Sequence, residues 1–292
     1  MTPPDALRPE WPDGVTRGLQ AAAEALWLAL SPSLPGLAVE VQAQVASTNT
    51  RLMERARAGD ATPCLLVARH QSAGRGRLGR AWQSRPGDSL TFSLALPLAR
   101  ADIGGLSLAV GVALADALEP PSAATPRLRL KWPNDLLLAG SEGDAGGNAA
   151  GRKLGGILIE ALARGGPRIV VIGIGINLRA LPSQGLSYGL ASLDEINPAA
   201  DAGGVLQQVV PPLVAALQRF DSAGFAPSMA AFARRDALAG RTVGTTLAEA
   251  PQGIADGVAD DGALWLRVGP RRLRVVSGEV SVRLGPVNTV EA

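Results

Sequence analysis

Between Arg69 and Trp82 the chain reads RHQSAGRGRLGRAW, and within it Arg75, Arg77 and Arg80 alternate with Gly74, Gly76 and Gly79. Glycine accepts positive φ and lets backbone approach a ligand closely, while guanidiniums this crowded need an anion to hold them together. Phosphates are the natural partners. The segment also matches the dinucleotide pattern G-x-G-x-x-G, but that motif requires a helix to open at the glycines. Here Ser84, Arg85, Pro86, Gly87 and Asp88 read as a turn leading into another strand, so no Rossmann site is expected. Taken alone, the segment would also suit a basic surface loop with no ligand.

Four further groups accompany it: Ser47-Thr48-Asn49, Lys131-Trp132-Pro133-Asn134-Asp135, Arg152-Lys153-Leu154-Gly155-Gly156-Ile157-Leu158-Ile159-Glu160 and Gly173-Ile174-Gly175-Ile176-Asn177. In this set and order, over residues 45–180, the chain resembles the biotin protein ligases, which join biotin to a lysine of carboxylase carrier domains. The resemblance implies that ATP activates the biotin carboxylate as biotinyl-AMP and that a biotin carboxyl carrier protein receives it. It assigns Ser47, Thr48, Asn49, Gln71, Arg75, Gly76, Arg77, Lys153, Gly155 and Gly156 to biotin. Arg77, Arg80, Lys131, Asn134, Asp135, Lys153 and Asn177 fall to ATP and the adenylate, with Lys153, Arg77 and Lys131 carrying the catalysis.

Such chemistry needs no protein nucleophile, because positioning and charge neutralisation supply most of the acceleration. The lack of an obvious Ser-His-Asp or Cys-His set agrees with it. Lys131 and Lys153 suit cations beside a carboxylate and phosphates, and Asp135 suits Mg²⁺, which prefers oxygen ligands. Each has a plain rival: Lys131 can snorkel from a strand end, Asn134-Asp135 can form a turn, and Asp135 can pair with an arginine. Trp82 is expected to anchor the arginine loop by packing. The loop itself is expected to close over the adenylate and exclude water. Leu78 departs from the charged residue that some relatives carry there. Two other functions compete: a ligase or transferase for lipoyl or octanoyl groups, and a non-catalytic nucleotide- or nucleic-acid-binding module.

The elements that must position these residues follow from patterning. Leu19, Ala23, Leu26 and Leu30 fall at helical spacing before Pro32. Residues 39–45 alternate as a half-buried strand, and Ser47 suits an N-cap for a helix over 50–58 that stops at Gly59. Strands are predicted at 64–69, 89–96, 127–132, 153–162 and 168–178, and a mostly buried helix at 103–118. The glycine-rich run 140–151 reads as a hairpin tip with no chemistry assigned. Helices are expected at 203–220, interrupted or restarted by Pro211-Pro212, and at 225–238. Short β-type pieces then recur at 242–247, 253–258, 263–268, 271–276 and 279–283, which suggests a small barrel.

The fold class expected is therefore α+β: a mixed sheet flanked by helices, followed by an SH3-like barrel, as the resemblance also implies. Residues 1–24 would hold an arm and the start of a helix, 25–238 the catalytic domain, and 239–292 the barrel. A chain of 292 residues with 47% hydrophobic content can bury an ample core, and a net charge of +2 gives little support to nucleic-acid binding. The single cysteine, Cys64, excludes an internal disulfide, and the single histidine, His70, leaves too few ligands for zinc. Without a signal peptide or membrane span, a cytoplasmic protein is expected. The 46 residues before Ser47 are too few for a winged helix-turn-helix module, so no DNA partner is expected. Both a monomer and a homodimer suit the chain.

Overall fold

The computed structural model describes residues 14–119, 125–140, 150–163, 167–181, 189–245, 247–248, 250–276 and 283–284. Strands β1 (Ala38–Val45), β2 (Cys64–Gln71), β3 (Ser89–Leu98), β4 (Leu128–Lys131), β5 (Asp135–Leu138), β6 (Arg152–Leu162) and β7 (Arg168–Asn177) form one sheet in the order β1-β2-β3-β7-β6-β5-β4. The first two run parallel, joined through helix α2 (Thr48–Arg57), and every other neighbouring pair is antiparallel. This is the mixed, helix-flanked sheet that the sequence predicts.

Both faces of the sheet are covered, so its central strands read as apolar runs without alternation. Helices α1 (Gly14–Leu30), α3 (Leu106–Leu118) and α4 (Ala202–Ala223) pack on one face through residues such as Leu26, Val110 and Val209, meeting Leu65, Val67, Phe92 and Ile172. The intervening residues Cys64, Leu66 and Val171 turn the other way, onto Leu52 and Met53 of α2. Strand β1 departs from the predicted alternation: all its residues are half-buried or exposed, because it forms the sheet edge. Among the described residues, no helix is long and apolar enough to cross a membrane.

Two helical expectations need correction. Pro211 and Pro212 lie inside one continuous α4 and do not break it. The carbonyls deprived of an N–H partner belong to Gln207 and Gln208, which are exposed, so water can serve them. Residues 225–238 are only partly helical, with a 3₁₀ turn at Ala226–Ser228 and helix α5 at Met229–Arg235. The helix stops where Asp236 bridges to Leu130 of β4. Buried Arg235 locks this junction: its guanidinium donates to Asp116 at 2.9 Å, to Glu119 at 2.8 Å and to the Leu128 carbonyl at 3.0 Å.

Past this junction, β8 (Thr242–Gly244), β9 (Gln252–Val258), β10 (Leu264–Val268), β11 (Arg271–Val275) and β12 (Arg283–Leu284) make a five-stranded antiparallel sheet. This small unit fits the SH3-like barrel expected from the sequence. The arm at 1–13, the loop tip at 141–149 and most of the strand predicted at 279–283 lie outside the described residues.

The turn between β9 and β10 seats the small sheet on the large one. The Trp132 indole donates to the Gly262 carbonyl at 2.9 Å. A Cβ on Gly262 would stand 2.3 Å from the Gly105 Cα, and one on Gly104 would stand 2.7 Å from the Asp261 carbonyl. Gly262 also has φ +80°, a conformation that costs any L side chain energy. Gly262→Ala should therefore lower global stability by about 2–4 kcal/mol through combined strain and overpacking. Thermal and denaturant unfolding would measure the loss.

Candidate active site

A cleft of about 1000 Å³, open solvent at its mouth included, runs over the middle of the large sheet. Its floor is bare backbone where β6 and β7 pair, since Gly156 faces Gly175 and Leu158 faces Gly173. Side chains from other elements occupy the room that these glycines leave. A Cβ on Gly175 would stand 2.3 Å from Cε2 of Trp82, and one on Gly173 would stand 2.2 Å from Oδ1 of Asn49.

One end of the cleft is neutral and buried. Ser47 caps α2, accepting the Thr50 N–H at 3.4 Å, as the sequence predicts. Thr48 and Asn49 follow in the first turn, both 3% exposed. Gln71, at the end of β2, accepts the Thr48 N–H at 2.7 Å through Oε1. Its own backbone N–H is held by Ser84 at 3.2 Å. Hydroxyls, amides and an open helix N-terminus thus converge on one small polar recess.

The other end is charged. Lys153 on β6 meets Asp135 on β5 at 2.6 Å, with both side chains only about one-fifth exposed (18% and 22%). Arg77 donates to the Asn134 side chain at 3.2 Å. Asn134 is itself stapled to β6, donating to the Ile157 carbonyl at 2.8 Å while its own carbonyl accepts the Ile157 N–H at 3.0 Å. Burial pulls the Arg77 pKa below the usual guanidinium range; Asp135 opposes that shift and Arg80 adds to it. Even so lowered, a guanidinium remains a cation at neutral pH. Lys131 completes the basic lining, where β4 and β5 turn into one another through a cis Trp132–Pro133 bond.

The arginine loop crosses this end as a narrow hairpin. Its stem closes through Trp82 N–H to Gly74 O at 2.9 Å and Gly76 N–H to Arg80 O at 2.7 Å. The glycines have separate reasons: a Cβ at Gly74 would stand 2.6 Å from the Trp82 carbonyl, whereas Gly79 has φ +72°. Leu78 at the tip is also left-handed, with φ 56°, and is 71% exposed. Only a 3₁₀ turn at Arg77–Gly79 follows these glycines, with no α-helix, so the dinucleotide pattern is fortuitous.

The cleft gathers nearly every residue singled out in the sequence: Ser47, Thr48, Asn49, Gln71, Arg75, Gly76, Arg77, Arg80, Lys131, Asn134, Asp135, Lys153 and Gly156 all line it. Gly155 and Asn177 do not. A Cβ on Gly155 would stand 2.8 Å from the Gly175 carbonyl, so that glycine allows β6 to pair with β7. Buried Asn177 donates to the Lys153 carbonyl at 3.2 Å and the Ala191 carbonyl at 3.0 Å, holding the strand that carries Lys153. Phe92, Ile157 and Ile174 also border the cleft, but they form one cross-strand row packed into the helix-side core beneath its floor.

The described core of the cleft coincides with a family match: residues 41–177 fit the biotin/lipoate A/B protein ligase family. A biotin–[acetyl-CoA-carboxylase] ligase from Mycobacterium tuberculosis is 33% identical over 291 residues, covering 96% of this chain and 98% of the relative. The chain belongs to the biotin protein ligase family. A further biotin protein ligase relative, from Paracoccus denitrificans, is 33% identical over 243 residues, covering 80% and 95% of the two chains. In three dimensions the chain is similar to the biotin protein ligase from Aquifex aeolicus solved with biotin and ATP. The TM-score is 0.70 at 27% identity, over 85% of this chain and 99% of that one.

Among the described residues, no three His, Cys, Asp or Glu side chains cluster to hold a metal ion. Among the described residues, Asp135 is the one carboxylate lining the cleft. That donor set suits a Mg²⁺ ion that arrives on phosphate oxygens and needs one protein carboxylate, rather than a dedicated cage.

Trp82 is wedged against the floor, with Lys153 Nζ 6.0 Å from its ring centre. It packs as the sequence suggests. Gly175→Ala should evict the ring, lowering stability by about 1–3 kcal/mol and shifting tryptophan emission to the red. In a Trp82→Ala background the same change should cost under about 0.5 kcal/mol, and a double-mutant unfolding cycle reads the difference.

Proposed function

We propose that this protein is an ATP-dependent ligase that activates biotin as biotinyl-AMP and transfers it to a lysine of a biotin carboxyl carrier protein. The observation that carries the reading is one continuous cleft with a neutral hydrogen-bonding recess at one end and Arg77, Lys131 and Lys153 at the other. A cyclic urea needs the first and a carboxylate meeting a triphosphate needs the second. The match to biotin ligases along nearly the full chain supports the same substrate pair.

In the first step a biotin carboxylate oxygen attacks the α-phosphorus of ATP, the bond to the bridging oxygen breaks, and pyrophosphate leaves. The two reactants are both anions, so the barrier contains their mutual repulsion as well as the chemistry. Lys153 lowers it by lying between carboxylate and phosphate, and Lys131 and Arg77 neutralise charge that gathers on the phosphate oxygens. Until substrates arrive, Asp135 keeps the Lys153 ammonium in place at 2.6 Å. Asp135 is the residue that would hold a Mg²⁺ ion, which would supply further screening of phosphate charge. In the second step the free amine of the acceptor lysine attacks the acyl carbon, forming an amide and releasing AMP. Arg77 and the hairpin over the cleft shield the anhydride from water in the interval.

Biotin- and ATP-dependent pyrophosphate release tests the reading. Lys153→Ala should reduce kcat/KM by on the order of 10²–10³, the scale of losing one charge-stabilising group at the reacting centre. Arg77→Ala should make biotinyl-AMP escape faster than from the parent protein, measured by trapping labelled adenylate on a filter. Substituting lipoate or octanoate for biotin separates the family's other substrate class: equal pyrophosphate release with either would overturn the assignment.

A further inference from the structure

We infer that Glu160, which lies outside the cleft, is a positioning residue that sets the direction of hydrogen bonding in the recess proposed to hold the biotin ring. The inference rests on that reading of the recess. Glu160 sits on β6 and accepts from Nδ2 of Asn49 at 3.1 Å; the Leu158 carbonyl accepts from the same nitrogen at 3.2 Å. A carboxylate and a carbonyl have no hydrogen to give, so the Asn49 amide must present its NH₂ to them and its oxygen to the other side.

The rest follows by elimination. Asn49 Oδ1 lies 2.6 Å from the Ser93 hydroxyl, and two oxygens that close must share a hydrogen. Asn49 has none there, so Ser93 donates. Ser93 Oγ also lies 2.7 Å from Thr48 Oγ1, and with its own hydrogen committed it must accept from Thr48. The chain therefore runs in one direction, Thr48 to Ser93 to Asn49 to Glu160. Thr48 Oγ1 also lies 3.1 Å from Gln71 Oε1, but the two hydroxyl hydrogens go to the two shorter contacts, so Thr48 meets Gln71 and the cleft with lone pairs. Gln71 Oε1 is taken by the Thr48 N–H at 2.7 Å, which leaves the Gln71 NH₂ as a donor.

The recess then offers an acceptor at Thr48 and a donor at Gln71. A cyclic urea needs this pairing, since its N–H groups give and its carbonyl receives. Without the carboxylate, the Asn49 NH₂ retains only the Leu158 carbonyl as an acceptor, and an amide rotated by half a turn would direct hydrogens back along the chain. Ser93 would then accept from Asn49 and give its hydrogen to Thr48, whose own hydrogen would turn to Gln71 Oε1, taking from Thr48 a lone pair that the ligand's N–H would otherwise meet.

The test is steady-state pyrophosphate release in three variants of the full chain. Glu160→Ala and Glu160→Met should each raise the KM for biotin by about tenfold, the scale of one misdirected hydrogen bond in a buried site. The KM for ATP and the melting temperature should stay near parent values, since the Glu160 side chain is half-buried and carries none of the core. Glu160→Gln restores an oxygen acceptor and should bring the biotin KM back to within about threefold of the parent. An unchanged biotin KM in the Ala and Met variants would overturn the inference alone. So would parallel changes in both KM values and in stability, which would mark a merely structural residue. A parent protein that releases no pyrophosphate with biotin and ATP would remove the functional reading together with this one.

Discussion

The site depends on the close approach of side chains to a bare strip of sheet. Where β6 and β7 pair, Gly156, Gly173 and Gly175 remove the side chains that would otherwise fill the space above the backbone. Trp82 and Asn49 sit in the space released, at distances that any Cβ would prohibit. Each glycine weakens the strand that contains it, since it brings no packing surface and loses more backbone entropy on folding. The cost is offset by the flanking residues: Ile157, Val171, Ile172, Ile174 and Ile176 are buried on the same two strands. A rigid sheet thus acquires a concave patch without any loop having to form it.

On this floor, the two ends of the cleft are organised in different ways. The neutral end is preorganised through helix geometry and buried hydrogen bonds, with Thr48, Asn49, Ser93 and Gln71 all in contact. Its polar atoms are largely spent on one another, so only a few well-placed donors and acceptors remain to face outward. The charged end is balanced by Asp135 against Lys153, while Arg77 leans on a neutral amide and stays available to an anion. A buried cation with its counter-ion at hand avoids most of the desolvation penalty of an isolated charge. The arrangement also keeps one strongly held pair at the point where phosphate charge would arrive.

Much of this was legible in the chain because the site residues are grouped in short motifs at strand ends and turns. Ser47-Thr48-Asn49 carried both an N-cap signal and a run of polar groups, and in the structure Ser47 caps α2 while all three residues line the cleft. In the Lys131–Asp135 segment, Asn134 belongs to the turn and Asp135 opens β5 opposite Lys131, and both line the cleft. Less legible were features whose cause is tertiary. Helix propensity disfavours Pro211 and Pro212 inside α4, yet burial on both sides of them outweighs the two lost hydrogen bonds. Asn177, assigned to the nucleotide by the resemblance, lies outside the cleft lining, and its amide holds the Lys153 backbone, a tertiary contact that the motif does not disclose. The roles of Arg235 and Glu160 depend on partners over a hundred positions away, and no local pattern discloses such pairings.

The joint between the two sheets has a consequence for how the molecule can be rearranged. Part of it is backbone meeting backbone at Gly104, Gly105 and Gly262, joined by an indole hydrogen bond from the residue next to Lys131. Surfaces of that kind tolerate no substitution of shape on one side alone. A hybrid in which the small sheet came from another protein would therefore have to import Gly104, Gly105 and Trp132 along with it. The graft boundary of any such chimaera lies inside the large domain, among the residues that flank its cations, and not at the linker where the chain passes from one unit to the next.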